Sequence, residues 1–220
     1  MTAMSGTREL EIIHQDGDLI AVSKPAGQVV IPGRGVREGI SLREQVEEAL
    51  GKRIFVVHRL DAEASGIVVF ALGPAVHRRL SMEFEDRRVE KIYDVLALGE
   101  MEADGEVNAS IRQFGSGRMG IGERGKPSVT RYRIAEKLKG ATLLEARPVT
   151  GRRHQIRVHL YSIGHPVVGD TRYGAERPVG GGRRLMLHAR SIRIETREGP
   201  LRLEAGVPAD FREGLSPFAR

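Results

Sequence analysis

There is no cysteine among the 220 residues. Disulfides, thiolate nucleophiles and cysteine-based zinc or iron-sulfur sites are thereby excluded, and the fold has to hold by packing alone. No apolar run approaches the ~20 residues of a membrane span, and the opening MTAMSGTREL lacks the apolar core of a signal peptide. A cytoplasmic location without membrane attachment is the resulting expectation. No GxSxG elbow supports a serine hydrolase. GSGRMG (115–120) matches the dinucleotide pattern GxGxxG literally, but IGERGKP follows it and cannot open the helix whose N-terminus would hold a pyrophosphate. It reads as a basic loop. His154 and His159 are five apart, about 140° around a helix, so they do not face one ion. No metal and no cofactor are expected.

What is present is ordinary in amount and uneven in place. Hydrophobic residues make up 40% and charged residues 29%, as in a folded globular chain of one domain or two fused halves. The net charge of +6 is regional: residues 112–190 hold 17 Lys and Arg against 5 Asp and Glu. A segment this basic suits a polyanion, since each phosphate it neutralises releases condensed counterions. Arginine supplies 29 of the 35 basic residues, and its planar fork pairs with phosphate and stacks on bases.

Local patterns predict the elements. LEIIHQDGDLIAVSKPAG (10–27) reads as a hairpin around Asp-Gly-Asp. ISLREQVEEALG (40–51) reads as a helix capped by Ser41 and Glu44 and stopped by Gly51. PAVHRRLSMEFED (74–86) spaces Val76, Leu80 and Phe84 four apart and reads as a second helix. Strands are expected at IFVV, GIVVFAL, KIYDVLALG, SVTRYRIAEKL, TLLEARPV, RLMLHARSIRIE and LRLEAG, many too closely spaced for anything but antiparallel pairing. Three helices among about nine strands, without regular alternation, predict an α+β domain around a mixed, mostly antiparallel sheet. The Gly/Arg-rich stretches 115–126 and 180–184 are expected to be mobile loops.

Two constellations carry chemistry. TGRRHQIRVHLYSIGHPVVGDTRYG (150–174) places three arginines within six residues. Ile156, Leu160 and Ile163 mark the apolar stripe of a short helix, on which Arg153 and Arg157, four apart, would share a face and offer a positive site. The alternative is a solvated basic face. In HRLDAEASG (58–66), Asp61 emerges where one apolar run ends and another begins, a strand end where functional groups collect. Its alternative is an Asx-turn or a local pair with Arg59.

These motifs, KPAGQVVIPG (24–33), HRLDAEASGIVVFA (58–71), KIYDVLALG (91–99) and GRRHQIRVHLYSIGHPVVGDTRYG (151–174), with LMLHA (185–189), resemble the RluA family of RNA pseudouridine synthases in order, spacing and content. The resemblance runs from about residue 10 to 210. It implies a sheet in two halves with flanking helices and the catalytic cleft between them, and an isomerisation in which uracil is cut from ribose at N1, turned and rejoined through C5. By the same resemblance Asp61 is the catalytic aspartate, Tyr93 the active-site tyrosine and Arg157 the basic partner of the carboxylate. Arg59 takes the space of the flipped-out nucleotide, and Arg152, Arg153, His154, Gln155 and Leu187 are RNA-contacting positions. Asp61 either attacks the sugar or removes a proton to give a glycal-like intermediate. Extruding a paired uridine costs a few kcal/mol, least in loops. Ala64 stands where the family usually has Thr, which removes a turn hydroxyl.

The expected organisation is a short N-terminal tail (1–9), one catalytic domain (10–212) and a C-terminal tail (213–220), without the S4 RNA-binding module of many relatives. The expected partner is a stem-loop of ribosomal RNA, tRNA or both, bound by a monomer. Two other readings share these residues: an inactive RNA-binding or chaperone protein on the same fold, and an N-glycosidase that frees uracil. One geometric expectation is specific: Asp61 lies closer to the guanidinium of Arg157 than to that of Arg59.

Overall fold

The computed structural model describes residues 10–32, 41–174 and 184–219. The tail expected over 1–9, and 180–183 of the second expected loop, fall outside the described residues. The chain opens as read: β1 (Glu11–Gln15) and β2 (Leu19–Lys24) form a hairpin, its turn held by Asp16, whose carboxylate accepts the N–H groups of Asp18 and Leu19. Helix α1 (Leu42–Leu50) has the full capping box of Ser41 and Glu44 and ends on Gly51 at φ 62, a left-handed position open to glycine. After β3 (Phe55–Val56) and β4 (Ser65–Ala71), Pro74 starts α2 (Pro74–Glu85).

The second half is strand-rich: β5 (Glu90–Leu98), β6 (Gly105–Asn108), β7 (Ile111–Gln113), β8 (Met119–Ile121), β9 (Val129–Leu138) and β10 (Ala141–Pro148) precede α3 (Gln155–Ser162). Then come β11 (Leu187–Thr196), β12 (Gly199–Glu204) and α4 (Ala209–Leu215). The main sheet runs β1-β2-β4-β11-β5-β10-β9-β6, with β3 on β4 and β12 on β11. Its pairs are antiparallel except β4 with β11, the seam where the two halves meet. Strands β7 and β8 form a separate ribbon.

The seam dictates one residue. Gly66 sits opposite Ala189 at φ 115, and a Cβ there would overlap the Ala189 backbone, so two strands approach as closely as glycine alone permits. Around the first half, α1 and α2 each cover one face of the sheet, through Leu42 and Val46 on one side and Val76 and Leu80 on the other. Around the second, Leu144, Ala146, Ile156 and Leu160 pack with Leu187 in one continuous core.

Three expectations change. Residues 213–218 are no tail: they finish α4 and a 3-10 turn (Ser216–Phe218), and Phe211 and Phe218 are buried in the second core. The stretch 115–126 contains β8, because Phe114 and Arg118 close a ribbon turn with Gly117 at φ 75. Helix α3 begins only at Gln155, since His154 takes a left-handed φ of 54 at its N-cap. Arg153 therefore precedes the helix and is exposed while Arg157 is buried, so the two share no face. Ile163, at the helix end, is 38% exposed and drops out of the expected stripe.

Candidate active site

Asp61 stands on the turn between β3 and β4. The turn is closed by its own backbone, Ala64 N–H to Asp61 O at 3.2 Å, and anchored from β2: the N–H of Gly27 and the ammonium of Lys24 both donate to Ala62 O, at 2.8 and 2.9 Å. Lys24 also donates to the carbonyls of Pro25 and Gln28. Burial, with the charge of Arg184 nearby, pulls its pKa down to about 7. Ala64 is buried in the second core, where a hydroxyl would need a partner, and the neighbouring Ser65 keeps its hydrogen bond to His188 at 2.9 Å. The Thr-to-Ala departure thus leaves the turn intact.

With its backbone fixed, the Asp61 side chain is free to point across the cleft. Its Oδ2 accepts from Arg157 Nη1 at 2.9 Å, and its Oδ1 lies 3.7 Å from His154 Nε2. Arg59 is exposed at the cleft and, among the described residues, makes no ion pair with Asp61. Neither the local Asx-turn nor the Arg59 pair is formed.

Arg157 is fully committed. Its Nε and Nη2 donate to the two oxygens of Asp170 at 2.7 and 2.9 Å, a bidentate fork, while Nη1 serves Asp61 and passes Glu63 at 3.5 Å. Asp170 also accepts the N–H groups of Arg172 and Tyr173. Burial works against its charge, but the Arg157 hydrogen bonds and charge with those two N–H groups outweigh it and hold the carboxyl below its ordinary range. Burial likewise opposes the Arg157 charge, and Asp170 and then Asp61 raise it.

Tyr93 projects from β5 into the same cleft of about 570 Å³, which Arg59, His154, Arg157 and Leu187 also line. Burial first, and the Asp61 charge second, raise its phenol above the ordinary value. A carboxylate held by a buried arginine, facing a phenol across a cleft with an apolar wall, can act on a sugar carbon or take a proton beside a planar base.

A family model described as RNA pseudouridylate synthase matches residues 18–162. The chain belongs to that family. Ribosomal large subunit pseudouridine synthase C of Vibrio cholerae is 35% identical over 234 residues, 98% of this chain and 72% of the relative. Ribosomal large subunit pseudouridine synthase D of Nitrosomonas europaea is 42% identical over 175 residues, 77% of this chain and 51% of the relative. The solved structure of human RNA pseudouridylate synthase domain containing 1 matches with TM-score 0.77 at 29% identity, over 96% of this chain and 88% of that one. The RluA-type resemblance of the motifs holds, and the chain is an isomerase of the pseudouridine synthase class.

In this pseudouridine synthase the site unites most of the residues singled out by sequence. Arg152 and Gln155 join the cleft wall, whereas Arg153 stands outside it. Gln155 differs from expectation in another way. Its Oε1 accepts from Thr150 Oγ1 and Arg152 N–H, and its Nε2 donates to Val129 O and Thr130 Oγ1, so the buried amide is saturated within the protein. It braces the start of α3 and has nothing left to offer RNA. Asp170, Tyr173 and Lys91 were not assigned from sequence. The first two lie in GDTRYG, where an acid directly after the apolar Val167-Val168-Gly169 was the available signal. Lys91 lines the cleft beside Phe84, and burial pulls its ammonium below its ordinary value.

Proposed function

We propose that the chain converts a uridine in a structured stem-loop of large-subunit ribosomal RNA into pseudouridine in the cytoplasm, with Asp61 as the reacting carboxylate. The observation that carries this reading is the pair Asp61 and Arg157 at 2.9 Å beside Tyr93 in one cleft. The names of the relatives, pseudouridine synthases of the ribosomal large subunit, support this class of RNA.

In the reaction the N1–C1′ bond breaks and a C5–C1′ bond forms, the C5 proton leaves, and N1 gains one. Asp61 begins it by attack on the sugar or by proton removal, and Arg157 keeps the carboxylate aimed. Tyr93 lies against the detached uracil and, as a phenol, holds it by contact and hydrogen bonding. Arg59, exposed and without an ion pair among the described residues, fills the space of the extruded nucleotide. Arg112, Arg118, Arg124 and Lys126, on and beside the β7–β8 ribbon, make no ion pairs among the described residues and suit the phosphate backbone. Arg112 also stacks on the exposed Phe114 at 4.5 Å, a surface that accepts an unpaired base.

Incubation with ribosomal RNA and tRNA, followed by nucleoside analysis, should give pseudouridine without a change in RNA mass. Asp61→Asn should abolish the product and leave RNA affinity within about twofold. Near wild-type turnover in Asp61→Asn would remove Asp61 from the chemistry. Binding of both RNA classes without product would favour an inactive RNA-binding protein, and free uracil a glycosidase.

A further inference from the structure

Tyr173 follows Asp170 in GDTRYG and is buried, with its ring against two guanidiniums, Arg157 at 5.2 Å and Arg118 at 5.3 Å. Its hydroxyl has two partners. The backbone N–H of Met119 on β8 lies at 3.2 Å, and Nδ1 of His154 at 2.7 Å. A backbone N–H can only donate, so the Met119 bond takes one lone pair of the phenol oxygen, and among the described residues Nδ1 is the one acceptor within hydrogen-bond reach of the buried tyrosine proton. Burial keeps His154 below its ordinary pKa, and Arg157, Arg153 and Arg172 act in the same direction against the pull of Asp61. The neutral ring carries one proton. With Nδ1 as acceptor, that proton sits on Nε2, the atom that faces Asp61 Oδ1 at 3.7 Å.

We propose that Tyr173 is a positioning residue that holds His154 in the tautomer presenting Nε2–H to Asp61 and makes that arrangement depend on how the β7–β8 ribbon is seated. The path is continuous in hydrogen-bond direction: Met119 N–H to Tyr173, Tyr173 O–H to His154, His154 N–H toward Asp61. At 3.7 Å the last contact is loose, and contacts of this kind tighten when substrate is bound. The ribbon carries Arg112 and Phe114 on its exposed side, so RNA pressing on it is felt at the carboxylate through one tyrosine hydroxyl. The consequence for turnover rests on Asp61 being the reacting group. The tautomer itself does not.

The test uses Tyr173→Phe, which keeps the ring between its cations and removes the hydroxyl. Nitrogen-15 spectra of the His154 ring should show a protonated Nε2 and a bare Nδ1 in the wild-type chain, and a mixture of tautomers in the variant. The kcat should fall about tenfold, the scale of one buried acceptor left unpaired, with KM for RNA held within about twofold. In a His154→Gln background Tyr173→Phe should cost nothing further. A protonated Nδ1 in the wild-type chain overturns the proposal, and that spectrum decides it even where the variant fails to fold. Additive losses in the double variant overturn it as well, by making Tyr173 a support independent of His154. If Asp61→Asn stays active, the reading of Asp61 falls with its kinetic consequence, and the spectra still decide the tautomer.

Discussion

Asp170 holds Arg157 by two parallel hydrogen bonds, Oδ2 to Nε at 2.7 Å and Oδ1 to Nη2 at 2.9 Å, and so leaves a single guanidinium nitrogen, Nη1, directed at Asp61. The aim of Arg157 into the cleft is thus set from behind, by an acid with no exposed side-chain surface. Arginine is required for this: one planar fork reaches two carboxylates at once, which a lysine ammonium on a flexible stem does not.

Asp170→Asn should therefore damage both stability and turnover. Removing one charge of a buried pair typically costs ~3–5 kcal/mol, and a loosened Arg157 should lower kcat by at least about tenfold. Urea denaturation and single-turnover measurements on the same preparation check the two effects. A variant with unchanged midpoint and unchanged kcat would show that Asp170 does not aim Arg157.

Gly66→Ala should be among the most destabilising small substitutions in the chain. The added methyl meets the Ala189 backbone of the neighbouring strand, which cannot swing away, and φ 115 is itself strained for a residue with a Cβ. A loss above ~3 kcal/mol, or failure to accumulate as soluble protein, is expected. Gly17→Ala, in the β1–β2 turn with open space around it, is the control that should differ little.

Acid should weaken the fold below neutral pH. His58 accepts the N–H of Val69 at 3.0 Å and stacks on Phe84 at 4.8 Å, and burial, with Lys91 adding to it, drives its pKa down to about 3. Burial takes His188 down to about 4. An unfolded histidine protonates near 6.5, so between 6.5 and these folded values the unfolded chain binds more protons and stability falls as pH falls. Above about pH 7 neither group contributes a slope. Each adds up to ~1.4 kcal/mol per pH unit inside that window. Denaturation midpoints from pH 7.5 to 5 read this directly, and His58→Gln, which can still accept from Val69, should flatten part of the slope. A midpoint that does not move over that range would mean that these histidines are not held neutral.

Much of the fold was legible because its signals are local. The Asp16 turn, the Ser41–Glu44 box, Pro74 at the start of α2 and the apolar runs of β4 and β5 each act within a few residues, and each element formed where it was read. Ribbon strands of three residues show no usable period, and α4 is a seven-residue helix set between prolines, so both escaped a pattern search. What buries Phe211 and Phe218 is the second core, a partner that no local window contains. The expected Arg153–Arg157 face failed at one residue. His154 turns left-handed, and the helix starts after it.

At the site, residue types and spacings marked Asp61 and the arginines around Arg157 as candidates, and the resemblance of the motifs to one family added Tyr93 and the role of each. Local pattern alone left open a pair with Arg59, two residues from Asp61, against Arg157 ninety-six away. The expectation that Asp61 lies closer to Arg157 came with the family resemblance, and the hydrogen bond at 2.9 Å agrees with it. The strength of a charge pair depends on distance and burial in space. The Ala62 anchor, the Asp170 fork and the left-handed His154 bring Arg157 to the carboxylate and leave Arg59 in solvent. Local chemistry thus determined which groups the protein carries, and the tertiary fold decided which of them meet.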